Sequence, residues 1–255
     1  MIPRRGDVRR PNSEYRIAVL TERPRIKHLT FSTKDKYMEH KRLTLFAGHY
    51  GSGKTNIAVN YAMHLADEGK KVCIADLDIV NPYFRTKDSE AELSERGIDL
   101  ICSEYANTNV DIPAIPAESY RLVRDRSCWC VIDIGGDDRG AYALGRFAEA
   151  IKAEGDYRMA FVLNCHRPLT STVEDAIEIM REIEAACGIE FTCIVNNSNI
   201  GSETTPETVL ESVDFAERLS LETGLPIWIH TAEKTVAERI KTVPVLPLSL
   251  QKKYF

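Results

Sequence analysis

Eight consecutive residues, Gly48-His49-Tyr50-Gly51-Ser52-Gly53-Lys54-Thr55, follow the spacing G-x-x-x-x-G-K-[ST]. Glycines at those positions let backbone N–H groups turn inward on a row of phosphates, and the N-terminus of a following helix adds positive potential there. Lys54 has the reach to meet the terminal phosphates, and the Thr55 hydroxyl is placed to ligate Mg²⁺. Residues 48–56, with Asn56 next to Thr55, are therefore the candidate nucleotide-binding segment, and Lys54 is also a candidate for catalysis. An ordinary glycine-rich turn is the alternative. It would not require a strand before it and a helix after it, and both patterns are present.

Three more polar clusters close apolar runs. Asp76-Leu77-Asp78 places two carboxylates at one strand end, and Asp133-Ile134-Gly135-Gly136-Asp137 places another where a Mg²⁺-linked aspartate belongs. Asn196-Asn197-Ser198 offers amides to a base edge. Asp, Asn and Gly are common in turns, so each cluster alone is a weak signal. Four such clusters at four strand ends are harder to explain as turns.

Hydrophobic periodicity supplies the elements that position them. Apolar runs at 43–47, 72–75, 128–134, 159–163, 191–195 and 225–229 read as strands, 72–75 as one covered on both faces, and 98–101 is a candidate for a further strand. Ile57, Tyr61 and Leu65, with Ala58 and Ala62, mark one face of a helix that ends at Gly69. Further helices are expected near 118–124 and over 141–154. Another follows a capping box, Ser171-Thr172-Val173-Glu174, and runs to Cys187. The last two are expected from Thr205-Pro206 to about residue 222 and over 233–240. The alternation predicts an α/β fold: a doubly wound, mostly parallel sheet flanked by helices in three layers, with ligands at the carboxyl ends of the strands. Residues 38–255 are expected to form this one domain.

Residues 1–37 differ in character. They hold ten Lys/Arg against four acids, a local charge of +6 that leaves −11 on the rest of a chain whose net charge is −5. This leg reads either as a basic arm for an anionic partner or, as favoured here, as a poorly ordered extension ahead of a start at Met38. So acidic a body is a poor non-specific nucleic-acid binder. No apolar run approaches the roughly 20 residues of a membrane span, and a cytoplasmic protein without a stable membrane anchor is expected. Seven scattered cysteines point to reduced thiols. Cys128-Trp129-Cys130 is one residue short of a CxxC, so core packing is favoured over metal ligation.

From about Arg42 to Ile240 the chain resembles the MinD/ParA/CobQ-type (SIMIBI-class) P-loop ATPases, which also include Mrp and the nitrogenase iron protein. Residues 70–78, Lys-Lys-Val-Cys-Ile-Ala-Asp-Leu-Asp, resemble that family's switch I strand. Asp133 with Gly135-Gly136-Asp137 resembles switch II, and Val195-Asn196-Asn197-Ser198 is similar to the adenine-recognising strand end. The resemblance implies binding of ATP and Mg²⁺, slow hydrolysis, and ATP-dependent dimerisation, so a homodimer is among its implied states. It makes Asp78 the water-positioning catalytic carboxylate, Asp133 the metal-linked one, and Asp76 a support for the Mg²⁺ shell. Asn197 is the better adenine contact and Asn196 the second.

His49 stands where the family has a lysine that crosses the dimer interface, and Tyr50 stands where it has glycine. A histidine is shorter and mostly neutral at pH 7, so it does not replace that lysine. A MinD-like amphipathic tail, an Mrp-like CxxC and a fused glutaminase domain have no counterpart in the sequence. The function implied is a Mg²⁺-dependent ATPase serving as a switch or as an assembly or maturation factor for a protein partner. The alternative is a metabolic ligase or kinase similar to dethiobiotin synthetase or cobyrinate-type enzymes. Three features stay open at this level. Asn81 to Thr86, rich in aromatics, reads equally as an effector segment or a packed loop. His166-Arg167-Pro168 and His230 read as turn or packing residues rather than catalytic ones.

Overall fold

A computed structural model describes residues 39–77, 89–101, 120–135 and 138–250. All of these but Glu39 belong to one compact unit. The expectations for residues 1–37, Asp78, Asn81 to Thr86 and Gly136-Asp137 lie outside the described residues.

Strand β1 (Leu43–Ala47) leads through the glycine-rich loop into helix α1 (Lys54–Asp67) and then β2 (Val72–Leu77). Beyond α2 (Glu90–Glu95), β3 (Asp99–Ile101) and the short α3 (Arg121–Arg124), the chain returns as β4 (Trp129–Ile134). Helices α4 (Asp138–Gly145) and α5 (Ala148–Glu154) lead to β5 (Tyr157–Leu163), α6 (Val173–Cys187) and β6 (Cys193–Asn196). The sequence continues as α7 (Pro206–Thr223), β7 (Ile227–Glu233), α8 (Lys234–Ala237) and β8 (Val245–Leu248). The eight strands form one sheet in the order β3-β2-β4-β1-β5-β6-β7-β8. Every pairing is parallel.

Two hydrophobic layers cover this sheet. Phe46, Ile57, Tyr61, Leu65 and Leu93 pack under α1 and α2 on one face. Leu45, Phe161, Leu144, Ile151, Met180 and Phe215 pack under α4 to α7 on the other. Leu43, Leu45, Phe46 and Ala47 are fully buried, as expected of a central strand covered on both faces. The three-layer α/β P-loop NTPase fold expected from the alternation is the fold observed.

β1 is also tied at its start. Arg42 is buried and forms an ion pair with the equally buried Glu154 at the end of α5. It donates as well to the carbonyls of Leu122 at 2.9 Å and Cys128 at 3.0 Å. One guanidinium thus joins the beginnings of β1 and β4 to α3 and α5.

Local departures from the expected elements have physical causes. The helix expected over 141–154 is interrupted: Phe147 turns into the core, and its N–H bonds to the Leu144 carbonyl, three residues back, at 2.8 Å. The cap of α6 is Thr172, which accepts from Asp175 N, while Ser171 donates its hydroxyl to the Pro168 carbonyl. A reciprocal capping box occurs instead at Thr205 and Thr208, opening α7. Strand β8 was not expected from a segment with two prolines. It pairs with β7, with Pro247 opposite Ala232, and Asn60 of α1 holds its end by exchanging two hydrogen bonds with the Ser249 backbone. The Cys128 and Cys130 thiols are buried in the core and share a face of the sheet with Cys73, whose sulfur is 3.0 Å from that of Cys130. Among the described residues no helix is long and apolar enough to cross a membrane.

Candidate nucleotide site

The sheet order places β1 between β4 and β5; the connection from β1 runs to β2 on one side and that from neighbouring β5 runs to β6 on the other, which opens a crevice at their carboxyl ends. The glycine-rich loop fills that crevice. A Cβ on Gly48 would lie 2.5 Å from the Val162 carbonyl of β5, which leaves only glycine at that crossing. Gly51 and Gly53 have φ of +74° and +89°, in the left-handed region that L side chains avoid. A Cβ on Gly53 would meet the Asn197 amide nitrogen at 2.3 Å.

Helix α1 starts directly from this loop. Gly53 gives it no side-chain cap, and its first turn contains no acidic residue. Its leading N–H groups therefore face the crevice with the positive end of the helix dipole behind them. Lys54 folds back along the loop, with Nζ 3.2 Å from the His49 carbonyl, and both Lys54 and Thr55 are buried. Ser52 Oγ and His49 Nδ1 are buried and have no hydrogen-bond partner among the described residues. A closed glycine cradle, an uncapped helix end, a buried lysine and two polar atoms awaiting partners fit an anionic phosphate chain. Burial, chiefly, holds the His49 imidazole below its ordinary pKa, with Lys54 and Arg167 adding like-charge repulsion. The residue is neutral at pH 7.

The carboxylates converge beside the loop. Asp76 and Asp133 are register partners on β2 and β4, and Asp133 is also opposite Phe46 on β1. Asp133 is fully buried and Asp76 partly so. Thr55, Asp133 and Asp76 thus belong to adjoining elements at one end of the sheet. Tyr50 is exposed, and His49 and Asn56 are partly exposed at the mouth of the loop.

The two asparagines at the end of β6, Asn196 in the strand and Asn197 just past it, have separate surroundings. Asn196 accepts from Ser198 N and Ser198 Oγ through its Oδ1, which fixes its other end as the amide nitrogen. That nitrogen donates to Ser212 Oγ at 2.9 Å and to His230 Nδ1 at 3.1 Å. His230 Nδ1 must therefore be the unprotonated nitrogen. Asn197 reaches the loop itself: Nδ2 donates to the Ser52 carbonyl at 2.7 Å, and Oδ1 accepts from Thr231 Oγ1 at 2.7 Å. Its burial between β7 and the loop makes it a brace on the phosphate cradle.

Arg167 is the residue that sequence reasoning set aside. It follows β5, and its Nε donates to the Gly51 carbonyl at 3.0 Å, laying a second cation against the loop. His166-Arg167-Pro168 carries no motif, so its only signal was position after a strand that pairs with β1. His230 lies inside β7, buried, with Nδ1 on the Asn196 amide.

No protein-family model matches the chain, and no curated protein sequence does. Similar solved structures include the cell division protein FtsY of Thermotoga maritima, 18% identical over 72% of this chain and 60% of that one, with a TM-score of 0.49. FtsY of Mycoplasma mycoides is 18% identical over 74% and 59%, with a TM-score of 0.47. The signal recognition particle 54 kDa protein of Aeropyrum pernix K1, solved in complex with GDP, is 15% identical over 74% and 40%, with a TM-score of 0.46. The chain thus spans well under two thirds of the length of these proteins, and likeness at this level carries no argument about activity. The loop geometry and the sheet order make this chain a P-loop nucleotide-binding fold on their own evidence.

Proposed function

We propose that the chain is a Mg²⁺-dependent ATP-binding protein of the MinD/ParA/CobQ type, a slow ATPase whose nucleotide state switches its hold on a protein partner in the cytoplasm. The observation that carries this reading is the loop of residues 48–55, a preformed phosphate cradle with Lys54 folded into it and the Asp76–Asp133 pair beside it. Thr55, Asp133 and Asp76 would hold Mg²⁺, which supplies charge stabilisation on the phosphate oxygens when bound. The loop N–H groups and Lys54 hold the phosphates in place, and Asp78 orients the attacking water. Asn197 can serve two purposes. Its amide nitrogen has two N–H groups, so one can hold Ser52 while the other meets a base. In this reading adenine is preferred over guanine, since the chain has no Asn-Lys-x-Asp guanine motif.

Calorimetric titration of Lys54→Ala tests the assignment. Loss of ATP binding with an unchanged circular dichroism spectrum is expected, and unchanged affinity refutes it. Competition between ATP and GTP tests the base, with tighter GTP binding refuting adenine preference. ADP release stimulated by a small molecule, rather than by a protein, would favour the ligase or kinase alternative.

A further inference from the structure

The end of α1 remote from the phosphate loop carries a second constellation. His64 and Glu68 are four residues apart and share one helical face. His40, three residues before β1, lays its ring against them. His40 Nε2 lies 3.0 Å from Glu68 Oε2, and His64 Nε2 lies 3.2 Å from Glu68 Oε1. One ligand atom from each of the three side chains falls within 4.8 Å of the other two.

The detail at His64 separates this from an ordinary ion pair. Its Nε2 is sealed from solvent and makes no hydrogen bond among the described residues, although the carboxylate oxygen is so near. Close approach without donor–acceptor alignment is how two ligands of one centre meet. Zn–N and Zn–O bonds of about 2.0–2.2 Å at tetrahedral angles put neighbouring ligand atoms roughly 3.3 Å apart. The observed separations of 3.0 and 3.2 Å need only a small expansion to match.

The surroundings suit a cation. His40 Nδ1 is 3.0 Å from the hydroxyl of buried Tyr61, a partner that fixes the ring with Nε2 turned toward Glu68. The site lies at the carboxyl end of α1, where the helix dipole favours positive charge. The Glu68 side chain is 36% exposed, which leaves its carboxylate open to an arriving ion and to water as a further ligand. Lys70 holds its ammonium 3.6 Å from Glu68 Oε2 and 4.5 Å from the centre of the Trp129 ring. That ammonium competes with a metal for Glu68.

We propose that His40, His64 and Glu68 form a site for a divalent transition metal ion of the zinc class, clamping the chain before β1 to the end of α1. The site is independent of the nucleotide reading. It is also separate from Cys73, Cys128 and Cys130, three buried thiols whose sulfurs likewise lie within 4.8 Å of one another.

The test uses the untagged full chain, treated with chelator and titrated with ZnCl₂ by calorimetry, with Co²⁺ absorption as the ligand readout. One equivalent is expected to bind at micromolar or tighter affinity, with a Co²⁺ spectrum that lacks thiolate charge transfer. His64→Ala and Glu68→Gln should each weaken binding at least tenfold, whereas Lys70→Gln should tighten it severalfold. That opposition in sign is something a general loss of structure does not produce. Absence of Zn²⁺ binding, unchanged affinity in both His64→Ala and Glu68→Gln, or thiolate charge transfer in the Co²⁺ complex would each overturn the proposal.

Discussion

Asn197 offers the sharpest test of how the phosphate loop is held. In Asn197→Ala the Ser52 carbonyl loses the amide that meets it at 2.7 Å, and Ser52 is only 1% exposed, so water does not readily replace it. Thr231 is less affected, since its hydroxyl also approaches the Asn196 carbonyl at 3.4 Å. One buried acceptor left unpaired costs about 1–3 kcal/mol. Taking about 2 kcal/mol, the melting temperature of a domain this size should fall by roughly 4–8 °C. If the ligand must re-form the loosened loop, the same energy appears as a loss of about 30-fold in affinity. The assay is calorimetric titration with Mg-ATP and, in parallel, with inorganic tripolyphosphate, which has no base. Both should weaken by a similar factor, because the amide acts on loop backbone. Asn197→Asp keeps the acceptor for Thr231 but cannot donate to Ser52, so it should be at least as damaging as alanine. An unchanged melting temperature with unchanged tripolyphosphate affinity would refute the brace, and a loss confined to ATP would assign Asn197 to the base alone.

Other expectations follow from the same geometry. Arg42→Met strands Glu154 in the core and should destabilise the protein by about 3–5 kcal/mol in urea unfolding, while Arg42→Met with Glu154→Leu should recover most of that loss; a single variant with near-parental stability would contradict the clamp. Asp78→Asn should leave ATP affinity near normal and slow single-turnover hydrolysis at least roughly tenfold, about 1.4 kcal/mol of barrier, and Asp133→Asn should instead weaken the Mg²⁺-dependent part of binding. Burial holds His230 below its ordinary pKa of 6.5, so the unfolded chain takes up that proton first. Its contribution to stability is therefore intact above about pH 6.5 and lost as the pH falls through the lower folded value. Thermal melts between pH 7.5 and 5 should show a steeper decline for the parent than for His230→Gln, and parallel curves would refute the assignment.

What could be read without coordinates was whatever is written locally. The loop glycines, the buried runs of the central strands β1 and β4 and the Thr205-Pro206 start each depend on neighbours in sequence, and each has its expected place. The α6 cap slipped by one residue because Ser171 found a competing acceptor in the Pro168 carbonyl. The interruption at Phe147 follows from the core's demand for that ring, which periodicity does not encode. Arg167 on Gly51, Arg42 on Glu154 and Asn197 on Ser52 join segments 112 to 145 residues apart. Such contacts exist only once strand order is set, and nothing in their local sequence announces them.

The last strand has a bearing on how copies of this protein can meet. β8 has only four residues, and one of them, Pro247, has no N–H to offer a new neighbour. Asn60 already occupies the backbone of Ser249 just past its end. An incoming strand would find an interrupted ladder there, so growth of the sheet from one molecule into the next is discouraged at this edge. Self-association is thereby turned away from this edge and left to the β3 edge, the helical faces or the strand ends, and the strand ends are where the phosphate loop lies.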